Sequence, residues 1–152
     1  MKIGIAADHA GFGLKEKLTQ LLMSAGYDVV DFGNRVHDEN DDYPEFVFPL
    51  ARGISSGHLE RAIVISSDGI GACIAANKIR RVRATVCYDD STVRIAVEQA
   101  DMNVLCLGAR YTGLAIGWNL TATFLETTFS GIERHRRRLA AIAQLEDEML
   151  SA

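Results

Sequence analysis

No stretch of this sequence approaches the ~18 consecutive apolar residues that a membrane-spanning helix needs. The first residues, MKIGIAADHAG, hold a lysine but no apolar core and no small-residue cleavage site, so no secretory signal is expected. Cysteine is scarce. The three present, Cys73, Cys87 and Cys106, are odd in number and show no Cys-x-x-Cys spacing. That argues against a disulfide scaffold and a zinc site and fits a reducing cytoplasm. Histidine, cysteine and carboxylates show no metal-ligand spacing elsewhere, so no metal is expected. An excess of positive charge is also missing: 16 Lys and Arg against 20 Asp and Glu leave a net charge of −4. The chain as a whole is therefore no binder of nucleic acid, and any anion site must be local. There are no repeats, linkers or low-complexity tracts, and 152 residues suit one domain over 1–152.

What the sequence does contain is an alternation of strands and helices. Lys2–Ala6 reads as a buried strand. Leu14, Leu18, Leu21 and Leu22 then recur at helical spacing, with Gly26 where a C-terminal cap belongs. Further strands are expected at Tyr27–Phe32, Arg61–Ser66, Val82–Tyr88 and Asn103–Leu107. An acidic loop, Asp38–Asp42, leads to Pro44, a residue suited to a first helical turn. Pro49 predicts either a kink in that helix or a later start. Asp90 or Ser91 is the expected cap of the helix after the fourth strand, and a helix is expected over Tyr111–Thr127. Ser130-Gly131-Ile132-Glu133 has capping-box spacing and opens a long last helix with Leu139, Ile142, Leu145 and Met149 along one side. Continuous apolar strands joined by helices predict an α/β fold: a doubly wound, Rossmann-like parallel five-stranded sheet with helices on both faces and a long C-terminal helix. The expected order is 2-1-3-4-5, which puts a ligand crevice at the carboxyl ends of strands 1 and 3.

Asp8 and His9 follow the first strand, and Ser66-Ser67-Asp68-Gly69-Ile70-Gly71 follows the third. Glycines at 69 and 71 let backbone N–H groups converge on an anion or a developing oxyanion. No Walker or dinucleotide-binding signature accompanies them. Arg134 and Arg138 lie one turn apart with His135 between them, a pattern that suits a phosphate monoester. Cys87 and Cys106 read as core, and Cys73 lies near a helix N-terminus, where a thiol pKa can fall.

Taken together, IAADHAGFGLKEKL, VVDFGN, DYPEFV, DGIGACIAANK, RATVCYD, NVLCLGAR and ERHRRR resemble type B ribose-5-phosphate isomerases. Their superfamily also holds galactose-6-phosphate and allose-6-phosphate isomerases. The resemblance implies aldose–ketose isomerisation of a small sugar phosphate through an enediolate, with no metal or cofactor. It also implies a homodimer or dimer of dimers with sites shared between subunits. By the same resemblance Gly69, Ile70 and Gly71 hold the enediolate oxygen, and Asp8 and Tyr43 hold sugar hydroxyls. His9, Arg110, Arg134 and Arg138 hold the phosphate, some from the second subunit.

The sequence departs from the family at the proton-transfer positions. Ser66 stands where the family places a cysteine base, and Ala72 where some members use a glutamate. Ser67 replaces a glycine and Asp68 a Thr or Ser, while the His-Asn pair that assists ring opening is Gln99-Ala100. A serine hydroxyl is a poor base for a carbon acid unless another group activates it. Asp68 is the expected replacement base; Cys73, or Ser66 acting with Asp68 or His9, are the alternatives. Loss of the ring-opening pair implies an open-chain substrate such as a tetrose phosphate. Two other readings stay open: a non-catalytic sugar-phosphate-binding subunit of a hetero-oligomeric isomerase, and a nucleotide-binding flavodoxin-like module.

Overall fold

A computed structural model describes residues 1–152. The elements in chain order are β1 (Lys2–Ala7), α1 (Phe12–Ser24), β2 (Asp28–Asp31), α2 (Pro44–Ser55), β3 (Arg61–Ser66), α3 (Ile70–Ala76), β4 (Ala84–Val86), α4 (Asp90–Ala100), β5 (Val104–Gly108), α5 (Leu114–Glu126) and α6 (Glu133–Ser151). All five strands are parallel and the expected fold class holds. The expected order is corrected at one edge: it runs β2-β1-β3-β5-β4, with the last two strands exchanged. Burial explains the exchange. Every residue of β5 is buried, so it needs a neighbour on each side. By contrast β4 has three residues, two of them half-buried, and suits an edge.

The corrected order also sorts the helices. Connections β1–α1–β2 and β4–α4–β5 run toward one edge, and β2–α2–β3 and β3–α3–β4 toward the other. Right-handed crossovers therefore put α1 and α4 on one face, where α5 joins them, and α2 and α3 on the opposite face. Ile3, Ile5, Ile63, Ile65, Leu105 and Leu107 pack toward the first group. Ala6, Ala62, Val64, Val104 and Cys106 pack toward the second. Small residues on that second face, Ala72, Ala75 and Ala76 among them, let α3 lie close to the sheet, with its first turn over the end of β3. The helices leaving β1 and β3 lie on opposite faces, so a crevice opens between those two carboxyl ends.

Three local expectations change. α2 begins at Pro44 and continues through Pro49, which lies on its exposed side. Asp89, one residue before the expected caps, accepts the Thr92 N–H at 2.8 Å. Ser130 makes no capping box: its hydroxyl lies 2.7 Å from Nδ1 of the buried His135, and α6 starts at Glu133.

A buried ammonium ties the first layer together. Lys15 on α1 is wholly inaccessible to solvent, with Nζ 2.7 Å from Asp31 Oδ2 at the end of β2 and 2.8 Å from Glu16 Oε1. Removing one partner of a buried pair strands the other charge. Asp31→Ala is expected to destabilise the fold by about 3 kcal/mol, the low end for such changes because Glu16 still touches the ammonium. Lys15→Met added to Asp31→Ala should recover most of that loss, because no charge then stays buried. Urea unfolding followed by circular dichroism measures both, and a loss below about 1 kcal/mol for Asp31→Ala contradicts the pairing.

Candidate active site

The loop after β1 winds around its own carboxylate. Asp8 is buried, and its Oδ1 accepts the N–H of Ala10 at 3.0 Å and of Gly11 at 3.3 Å. Burial pushes its pKa above the ordinary carboxylate value, while the Gly11 N–H pulls the other way. Gly11 cannot be any other residue without movement: a Cβ there would lie 2.5 Å from the Ile65 carbonyl oxygen. The start of α1 thus presses on the end of β3, which sets His9 beside the third strand's carboxyl end.

His9 does not stand alone. Its Nδ1 lies 2.7 Å from Oδ1 of Asp41, and its backbone N–H donates to the same oxygen at 2.9 Å. The other oxygen of Asp41 accepts from Asn34 Nδ2. Hydrogen bonding to Asp41 raises the His9 pKa above the usual imidazole value, with Asp8 adding to it. Nothing in the spacing of these residues marks Asp41 as a site residue: it lies 32 positions from His9 in an acidic loop that reads as solvated surface.

The β3–α3 turn is held from within and from β5. Gly69 has φ +78°, a left-handed conformation that favours glycine. Its N–H donates to the Ser66 hydroxyl at 3.0 Å, and the Ile70 N–H donates to Asp68 Oδ1 at 2.9 Å. The buried Ser66 hydroxyl therefore acts as a clasp of the turn. Ala109 and Arg110 donate their N–H groups to the carbonyls of Ser66 (2.8 Å) and Ser67 (2.9 Å), which brings Arg110 to the same rim. Tyr88 donates its phenol O–H to the Asp68 carbonyl at 2.7 Å. The Gly71 N–H has no protein acceptor. Above it sits Tyr43, whose hydroxyl lies 2.5 Å from where a Cβ on Gly71 would be.

Asp8, His9, Tyr43, Ser66, Asp68, Gly69, Ile70, Gly71 and Arg110 are therefore brought to the carboxyl ends of β1, β3 and β5. Arg134 and Arg138 are not. They are exposed on α6, which lies against the amino-terminal end of the sheet. There Arg80 pairs with Asp147, the Arg81 N–H donates to Glu146 Oε2 at 3.0 Å, and Leu139 and Ile142 line a cavity of about 300 Å³ with Val82 and Met102. A larger cavity of about 670 Å³ opens beside Asn34 and Asp41, and residues 66–71 take no part in its lining. The Cys73 thiol is drawn down to about 7, chiefly by contact with Cys106 and not by the helix end. Its Sγ donates to the Ala84 carbonyl at 3.3 Å, facing β4 inside the packing of α3.

Donor atoms of Asp8, His9 and Asp41 all lie within 4.8 Å of one another, so three potential ligands that are scattered in sequence gather in space. They suit a cation poorly, because each already serves another bond. Asp8 holds two amides, and His9 Nδ1 faces Asp41 across 2.7 Å.

Comparison with known proteins gives one family. The profile of "Ribose/Galactose Isomerase" matches residues 3–142. The structure of Clostridium thermocellum ribose-5-phosphate isomerase B superposes with a TM-score of 0.93 at 40% identity, covering 98% of this chain and 99% of that one. The Mycoplasma genitalium ribose-5-phosphate isomerase B, solved with bound ribulose 5-phosphate, gives a TM-score of 0.91 at 35% identity, covering 97% of each. D-erythrulose-4-phosphate isomerase of Pectobacterium atrosepticum is 34% identical over 131 residues, 86% of this chain and 86% of that protein.

Proposed function

This chain belongs to the ribose/galactose isomerase family and is a sugar-phosphate isomerase, and we propose that it interconverts an open-chain aldose phosphate and its ketose through an enediolate at the carboxyl ends of β1 and β3. Asp68 takes the proton from the carbon beside the carbonyl. The electron pair moves onto the carbonyl oxygen, the neighbouring hydroxyl passes its proton to that oxygen, and Asp68 returns a proton to the former carbonyl carbon, leaving the new carbonyl beside it. The Gly71 N–H, free of any protein acceptor, receives the oxyanion, joined by Gly69 and Ile70 as their bonds to Ser66 and Asp68 open. Asp8 and Tyr43 hold sugar hydroxyls, while His9 and Arg110 hold the phosphate with Arg134 and Arg138 of a second copy of the chain. The observation that carries this reading is the free N–H of Gly71, a residue packed against the Tyr43 hydroxyl and three residues from a carboxylate pinned to the same turn. No step needs a cofactor.

The substrate we infer is a tetrose 4-phosphate. Its C4 oxygen is esterified, so it cannot close a five-membered ring, and an enzyme acting on it has no ring to open. Gln99 and Ala100 stand in this chain where the resemblance expects the ring-opening His-Asn pair. The Pectobacterium relative is named for D-erythrulose 4-phosphate and is 34% identical over 131 residues. Steady-state assays with D-erythrulose 4-phosphate and ribose 5-phosphate test it. The expected result is a kcat/KM at least about a hundredfold higher for the tetrose. Equal or better use of ribose 5-phosphate overturns the tetrose reading. Binding of both esters with turnover of neither identifies a non-catalytic subunit instead.

A further inference from the structure

We propose that Asp41 is the positioning residue of this site: it holds His9 by Nδ1–H, which turns Nε2 and the ring's positive charge toward the substrate phosphate. This rests on the reading of His9 as a phosphate contact. Three observations support it. Asp41 binds both the His9 ring (2.7 Å) and the His9 backbone N–H (2.9 Å) through one oxygen, so the residue is fixed at two points. The Asp41 side chain is only 6% exposed, whereas that of His9 is 36% exposed, so the carboxylate is the fixed partner and the ring the accessible one. Behind Asp41 the support is continuous. Its other oxygen accepts from buried Asn34, whose backbone N–H donates to the Ala7 carbonyl at 2.8 Å, and Ala7 N–H donates to the Gly33 carbonyl at 2.8 Å. Gly33 N–H in turn donates to Asp31 Oδ1 at 2.8 Å, on the carboxylate that holds Lys15.

A carboxylate behind one nitrogen of an imidazole does two things. It selects the tautomer that leaves the other nitrogen free, and it favours the doubly protonated ring, which can donate to an anion. The titratable groups facing the ring are Asp41, Asp8 and, edge-on with ring centroids 6.4 Å apart, His37. Both carboxylates favour the cation, and His37 is the neighbour that opposes it when protonated. A histidine whose pKa is raised keeps its charge above the ordinary imidazole midpoint and loses it as pH climbs through the raised one. Phosphate affinity should therefore persist above the pH at which an ordinary imidazole loses its proton, and weaken as pH climbs through the raised pKa.

Two measurements on the whole protein test this. In the unaltered protein, NMR titration of His9 is expected to give a midpoint above about 6.5, and a midpoint at or below that value overturns the proposal. In Asp41→Asn the midpoint should fall toward the ordinary range and KM for the sugar phosphate at pH 7.5 should rise about tenfold, more than kcat falls. Asp41→Glu should recover part of the KM. In a His9→Asn background, Asp41→Asn should add less than about twofold, because its route of action is gone. Independent, additive effects of the two changes would mean that Asp41 acts on the fold at large and would overturn the proposal. A His9→Asn variant with unchanged KM instead removes the phosphate role of His9, while the titration of the unaltered protein still reports whether Asp41 holds the ring.

Discussion

Asparagine in place of Asp68 is expected to lower kcat by about 10²- to 10⁴-fold while KM changes by less than about threefold. The geometry makes this substitution a clean one. Asp68 Oδ1 accepts the Ile70 N–H at 2.9 Å, and the amide oxygen of asparagine can accept the same bond. The backbone of residue 68 is held separately, by Tyr88 O–H on its carbonyl at 2.7 Å and by the close approach of Gly108, where a Cβ would come within 2.8 Å of it. The turn and its N–H groups should therefore stay in place, and what disappears is the basic oxygen. Two assays read the loss: turnover of the sugar phosphate, and washout of a deuterium from the carbon next to the carbonyl into solvent water. Both should fall together. A kcat within about threefold of the unaltered protein would move the base elsewhere, and the dyad of His9 and Asp41 or the Ser66 hydroxyl would be next to test.

Where local chemistry decides the structure, the sequence is readable. Arg61–Ser66 is the third strand to the residue, because five of its six residues are buried and a buried run carries its own signature. The turn that follows is equally plain, since Gly69 and Gly71 answer to a positive φ and to the Tyr43 hydroxyl. Edges are read less well. The Val82–Tyr88 run looks as apolar as its neighbours, but only Ala84–Val86 pairs, and its place outside β5 depends on which strand most needs covering. Helix starts carry a similar ambiguity. Ser130 and Glu133 have the spacing of a capping box, but the hydroxyl bonds His135, a contact that exists only once α6 has packed. Asp41 was invisible for the same reason on a larger scale. Its neighbours in sequence are acidic and exposed, and its partners His9 and Asn34 arrive only when β1 and β2 pair. The His9 side chain was legible as a candidate, whereas the group that sets its charge was not.

If Arg134 and Arg138 hold the phosphate as proposed, alanine at both is expected to raise KM about a hundredfold, since two guanidinium contacts are lost together. Neither arginine can serve the site of its own chain as folded here, because α6 lies against the amino-terminal end of the sheet. Both are exposed on one face of a helix in which only His135 is buried, and the same helix presents Ile142, Leu145, Met149 and Leu150, each more than half exposed. An apolar stripe of this kind, next to a pair of forked cations, is what a helix needs in order to reach across to a second copy and complete its site. Mixed assemblies separate this from a solitary chain. One chain carries Arg134→Ala with Arg138→Ala, the other carries Asp68→Asn, and at substrate concentrations well below KM each alone is nearly inactive. Co-expressed in equal amounts, half of the dimers contain one of each. In such a dimer one site keeps both its own Asp68 and the arginines of its neighbour, so about a quarter of all sites should regain full activity. No recovery on mixing, with both chains folded, would mean that each chain completes its own site and that the two arginines act on a substrate by some route other than a shared interface.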